Sequence, residues 1–258
     1  MQISNLVSKS IHRFAAKAGL SFAIVFMVVV SSQNGFGQVH RSAPRGAEHT
    51  GKYSVDGLPT VDLSHIKELR QAASGAGTEK KRADRYSSGT GGKFPLFDPA
   101  TGRSLVPEKF VHYLSQDPLP TKVSDVVVVG KITAVASHIS SDGSMVYSTF
   151  EFTPTSFLKN TAPPNPTSIV LERVGGVALY PDGTKRFVGE NGAGIPDANH
   201  KYILFLTKIA GETSYHIETG YGIDGGHVVA LDQLGDKLEG ETGESLLKQI
   251  RTKISSNQ

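Results

Sequence analysis

The stretch Asp125–Ala136, DVVVVGKITAVA, decides the fold. Val126, Val128, Ile132 and Ala134 fall on one face at the two-residue period of a strand, and Val127, Val129, Lys131 and Thr133 fall on the other. Four successive valines, stiff at χ1, favour an extended backbone. Gly130 interrupts the run where a bulge or sharp bend would let a long strand curl into a barrel.

Downstream of it the chain reads as further strands joined by turns. Ser-Asp-Gly at Ser141–Gly143 is a turn, and Met145–Phe157 is a strand with Val146, Phe150 and Phe152 on one face; Pro154 marks an edge or bulge in it. Ser168–Val174 is the next strand, with Ile169 and Leu171 inward. Val177–Tyr180 and Lys185–Val188 flank the hairpin signal Pro181-Asp182-Gly183. Gly189–His200 reads as a long loop. Lys201–Ile209, KYILFLTKI, is apolar on both faces, as a central strand should be. Ser214–Glu218 and His227–Leu231 make a last hairpin. Thr242 can cap a final helix whose stripe is Leu246, Leu247, Ile250 and Ile254. Many short strands and few helices predict a mainly β domain, an antiparallel OB-like barrel of five to seven strands with a C-terminal amphipathic helix.

Upstream, the chain of 258 residues divides by composition. Residues 1–37 read as a signal peptide. Lys9, Arg13 and Lys17 precede the uncharged apolar run Ala18–Val30, and Gly35-Phe36-Gly37 supplies small residues for cleavage before Gln38. The run is short for a membrane span, which needs roughly 20 residues, so export is the expectation, to the periplasm or medium; an uncleaved inner-membrane signal-anchor is the alternative. Residues 38–92, rich in Gly, Ser and charge, read as a flexible linker with a short helix near 63–73. There Asp62 caps, Ile66, Leu69 and Ala73 share a face, and Val61 can staple onto Ile66, so that the helix packs on its own barrel. Residues 93–122 are a proline-laden lead-in with a helix from Pro107 to about Leu114. Residues 123–258 form the barrel domain.

The four strand signals DVVVVGKI, YSTFEF leading to SFLKN, SIVLERVGG and YILFL, over about residues 123–232, resemble a recurring pattern in secreted bacterial proteins of unassigned function. They also look like the OB-type barrel of the tissue-inhibitor-of-metalloproteinase and netrin-module group. That resemblance implies fold. The inhibitors hold a protease metal through an N-terminal cysteine, and this chain has no cysteine, so no inhibitory residue carries over.

Function classes are narrowed mostly by exclusion. Without cysteine there are no disulfides, thiolate zinc sites or cysteine nucleophile. All three bases before residue 38 are matched by no acid, and beyond it 27 − 3 = 24 bases face 24 acids. A neutral mature chain gives no argument for nucleic acid or anionic membrane. The run Lys80-Lys81-Arg82 with Arg85 is interleaved with Glu79 and Asp84 and reads as solvated linker. Gly220-Tyr221-Gly222-Ile223-Asp224-Gly225 matches G-x-G-x-x-G, but a strand follows it rather than the helix a dinucleotide site requires, so its glycines are read as turn residues. His138, His200, His216 and His227 lack metal-ligand spacing, with His216 placed opposite Val229. No G-x-S-x-G elbow is present, and Glu151 and Glu172 sit at the outward, solvated phase of their strands. Asp142 and Asp182 are single turn acids, short of a calcium site. No catalytic, cofactor-binding or metal residue is therefore assigned, and no cofactor. The expectation is an exported, non-catalytic barrel module that binds a protein or glycan outside the cytoplasm, with no membrane span after cleavage. The alternatives are an envelope hydrolase with spatially assembled acidic and histidine residues, favoured by a deep polar pocket, and a purely structural envelope protein.

Overall fold

The computed structural model describes residues 58–75, 77–87, 97–98, 103–104, 117–161, 165–189 and 192–257. The segment read as a signal peptide, the first part of the expected linker and the helix expected from Pro107 to about Leu114 lie outside the described residues.

Two long strands, β4 (Val126–Ile139) and β5 (Val146–Asn160), form the spine. With β6 (Ile169–Val174), β9 (Lys201–Lys208) and β10 (Tyr215–Asp224) they close a ring in the order β4-β5-β6-β10-β9 and back to β4. The pairs are antiparallel except β6–β10, which run parallel through Tyr215↔Leu171 and His216↔Glu172. This is the five-stranded OB-like barrel expected. A short strand, β11 (His227–Ala230), extends it from β10.

The inward valine phase holds at first. Val126, Val128 and Ile132 join Phe150, Phe152, Leu171, Leu204 and Leu206 in the barrel interior; each such side chain buried contributes about 1.5–3 kcal/mol. Gly130 faces the same interior, and a Cβ there would lie 2.5 Å from the Phe152 ring and 2.3 Å from the Thr153 carbonyl oxygen. The alternation then fails at Ala134, which is exposed. The β4–β5 register shifts between Ile132 and Ala134, so that Val135, not Ala134, packs against the interior. One extra residue in a bulge flips every side chain that follows.

Val127 and Val129 are buried too, on the outside of the barrel. A C-terminal helix, α3 (Gly243–Ser255; α1 and α2 are placed below), covers them with Leu246, Ile250 and Ile254, while Leu247 is partly buried. Its cap is the one expected: the Thr242 hydroxyl accepts from the Ser245 N–H at 3.2 Å. The loop before β9 also belongs to the core, since Ile195 enters the barrel interior.

The last hairpin turns at Gly225-Gly226, both with positive φ, and pairs Asp224↔His227 through Tyr221↔Ala230. Gly220 and Gly222 thus lie inside β10 rather than in a turn. A Cβ on Gly220 would come within 2.5 Å of Leu204; close strand packing, not positive φ, requires that glycine. His216 faces Thr207 on β9 and Glu172 on β6, not Val229.

The described part of the linker is a packed arm. Strand β1 (Thr60–Asp62) runs parallel to β7 (Gly176–Leu179), which pairs with β8 (Lys185–Val188) in a three-stranded sheet. Asp62 caps as expected, its carboxylate accepting from the Ser64 N–H at 2.9 Å. A 3-10 turn, Leu63–His65, leads into α1 (Ile66–Ala73). Val61 and Leu63, with Ile66 and Leu69 against them, pack on Val146 and Ile139 at the outer ends of β4 and β5. Helix α2 (Thr78–Arg85) then buries Ala83, followed by Tyr86, against Met145, Tyr147 and Val174. This corrects the flexible-linker expectation for residues 58–87: a segment poor in large apolar groups is held by a few of them and by charge. A two-residue hairpin, β2 (Phe97–Asp98) with β3 (Arg103–Ser104), lies in the lead-in.

Candidate functional site

Two polar groups of residues stand out, one under the arm and one at the barrel end. The first begins with Glu172. Its outward phase on β6 is as read, but it is 0% exposed, because α2 lies over it. Arg82 donates Nε–H to Glu172 Oε1 at 2.8 Å, and Arg85 donates Nη1–H to Oε2 at 2.5 Å. The Tyr86 hydroxyl donates to Oε2 at 3.3 Å and lies 3.3 Å from His216 Nδ1. Arg85 also pairs with Glu212. A carboxylate taken out of water needs this many charged donors. Glu151, on the same face of the neighbouring strand, remains exposed.

Three rings stack here, Tyr86, Tyr147 and His138. Tyr86 and Tyr147 lie 4.5 Å apart at 18°, and Tyr147 and His138 lie 5.1 Å apart at 21°. Burial raises the Tyr147 hydroxyl to about 12 and pushes Tyr86 well above the ordinary tyrosine value, helped in both by Glu172. Burial likewise lowers the His138 imidazole, which keeps it neutral at neutral pH; Glu79 and Glu172 oppose that shift and Arg82 adds to it. His138 Nε2 lies 2.8 Å from Thr149 Oγ1.

His138 and Tyr147 floor a half-open cleft of about 360 Å³ between the arm and the ends of β4 and β5. Its apolar wall is Leu69, Ala72 and Ala73 of α1 with Val61 and Ile139. Its polar wall carries Thr60, Asp62, Ser137 and Thr149, and α2 contributes Glu79 and Arg82. A chain of hydroxyls ties the two sides together: Ser137 Oγ donates to the Pro59 carbonyl at 2.8 Å and lies 3.2 Å from Ser148 Oγ, which donates to the Gly175 carbonyl.

The second group closes the barrel end. Arg173 Nη2–H donates to Asp232 Oδ1 at 2.7 Å, and the Gly194 N–H reaches the same oxygen at 2.9 Å. Both side chains are buried. The pair fixes the loop that carries Ile195 into the barrel.

Of the histidines considered, only His138 and His216 belong to the first group. His200 contacts the Ala198 carbonyl and His227 the Gly240 carbonyl, both at the surface. Among the described residues no three His, Asp or Glu side chains gather as metal ligands. Asp142 and Asp182 cap their own turns, on Ser144 and Thr184. Among the described residues, no helix is long and apolar enough to cross a membrane. Reasoning from sequence missed Arg82, Arg85 and Tyr86, and the signal was faint: Arg82, Arg85 and Tyr86 recur at helical spacing on one face.

No family model matches the chain, and no curated protein or solved structure matches it.

Proposed function

We propose that the chain is an exported, non-catalytic β-barrel module that binds a partner outside the cytoplasm, and that the cleft beneath the arm is its binding site. The observation that carries this is the cleft itself: about 360 Å³ lined by both apolar and polar side chains, between the arm and the barrel. Of the two ligand classes, a protein segment suits it better than a glycan. Sugar rings favour an open aromatic face, and Tyr147 has both faces covered, by Tyr86 and His138.

The hydrolase reading has one specific contact in its favour, His138 Nε2 on Thr149 Oγ1, in a cleft that also holds Asp62 and Glu79. Acyl transfer further needs N–H donors aimed at a developing oxyanion. Around Thr149 strand β5 is paired on both sides, with Ala136 and Glu172, and its N–H groups are spent in the ladders.

Peptide and glycan arrays probed with the full chain, beside an Ala72→Trp variant, test the proposal. Ala72 is exposed on the cleft wall, so the indole obstructs the cleft without entering a core. Binding to peptides that Ala72→Trp abolishes is the expected result. Equal binding by both proteins, or turnover of the bound peptide seen by mass, overturns it.

A further inference from the structure

Resting on that reading of the cleft, we propose that its ligand is a primary ammonium on an apolar stem, either a lysine side chain or the amino terminus of a peptide. The argument is a count of charge on the cleft walls. Two arginines lie beneath the cleft, and both are matched: Arg82 by Glu172, Arg85 by Glu172 and Glu212. Two guanidiniums against two carboxylates leave that layer neutral. The carboxylates that remain on the walls, Glu79 in the first turn of α2 and Asp62 at the end of β1, come from different elements and face one space. Asp62 spends Oδ1 on its helix cap, where it accepts from the Ser64 N–H and hydroxyl, which leaves Oδ2 for a ligand.

The floor has the same preference. His138 is neutral because burial disfavours its charged form. In the tautomer that donates Nε2–H to Thr149, Nδ1 presents a lone pair, and among the described residues it has no hydrogen-bond partner. An ammonium has three donors and no acceptor, which suits a lining whose unmatched groups, Glu79, Asp62 Oδ2 and the His138 lone pair, are acceptors. An anion would meet Glu79 and Asp62, with the guanidiniums of Arg82 and Arg85 already turned to Glu172. Leu69, Ala72 and Ala73 offer apolar contact to a short methylene stem, and about 360 Å³ leaves room for it.

The test is amide chemical-shift titration of the full chain with four probes. Nα-acetyl-lysine methylamide offers a side-chain ammonium and alanyl-alanine amide a terminal one. Nα-acetyl-norleucine methylamide keeps the stem without charge, and Nα-acetyl-glutamate methylamide reverses the charge. Saturable shifts at Thr60, His138 and Thr149 with an ammonium probe are expected, and whichever ammonium probe gives them identifies the source. Glu79→Gln, a surface change that leaves the fold intact, should weaken that probe by up to about fivefold, the range of a partly exposed ion pair. Norleucine or glutamate probes binding as tightly as lysine, at the same amides, would overturn the ammonium and leave the cleft as a binding site. Silence of those amides toward every probe would overturn the ammonium too, and the Ala72→Trp comparison then judges the cleft on its own.

Discussion

Glu172→Gln tests whether the arm is part of the folded domain. The exchange keeps the shape of the side chain and removes its charge. In the folded protein Glu172 is fully buried and accepts from Arg82 at 2.8 Å, Arg85 at 2.5 Å and Tyr86 at 3.3 Å. Hydrogen bonds to charged groups contribute roughly 1.5–3 kcal/mol each, and removing one partner of a buried ion pair costs about 3–5 kcal/mol. Two facts push the expectation to the low end. The arginine side chains are 20% and 23% exposed and can rehydrate, and Arg85 keeps Glu212. The expected loss is therefore about 3 kcal/mol, a factor of about 150 in the equilibrium between docked and undocked arm. Two measurements read it: the urea midpoint, and the rate of tryptic cleavage at Lys80 and Lys81. Cleavage should accelerate by about two orders of magnitude if the arm opens ahead of the barrel. Glu151→Gln, on the exposed neighbour, should stay within about 0.5 kcal/mol of wild type. If Glu172→Gln matches that control in both assays, α2 is not held by this cluster.

Two further outcomes follow from the same geometry. Because the folded His138 imidazole titrates below its unfolded value near 6.5, the unfolded chain binds more protons between the two values. Its contribution is thus fully present above pH 6.5 and lost as pH falls through the folded value; urea midpoints from pH 8 to pH 5 should decline in wild type and flatten in His138→Gln, and parallel curves would refute this. Val128→Asp and Val129→Asp place a carboxylate in the barrel interior and under α3 respectively, so both should cost several kcal/mol and unfold or aggregate the protein, whereas Lys131→Asp, exposed beside them, should cost well under 1 kcal/mol; a soluble Val129→Asp of wild-type stability would mean that α3 does not cover that face.

The barrel was legible because its interior is apolar and its strands are long. Val128, Phe150 and Leu171 announce the inward phase without reference to anything distant. The bulge before Ala134 was not, because a bulge adds one residue without changing composition, and Gly130, the visible marker, sits before it. The turn glycines were misplaced for a related reason. Gly220 is required by the Leu204 side chain on the facing strand, a constraint invisible along the chain, so a strand glycine and a turn glycine read alike.

What alternation cannot distinguish is an outward side chain facing water from one facing a second layer. For Val127 and Val129 the ambiguity resolves itself, since a run apolar on both faces demands cover, and Leu246, Ile250 and Ile254 supply it. For Glu172 it does not. A carboxylate at the outward phase looks solvated, and Arg82 and Arg85, 90 and 87 residues away, look like part of a charged linker. Each half of the contact disguises the other, because hydrophobicity scores both as exposed. Helix α2 is joined to the barrel by an ion-paired seam of low hydrophobicity, with Ala83 and Tyr86 as the buried apolar anchors on it and at its end. A seam of that kind depends on both charges being present, which is why removing the Glu172 charge alone should undock α2 although the exchange itself deletes no apolar group.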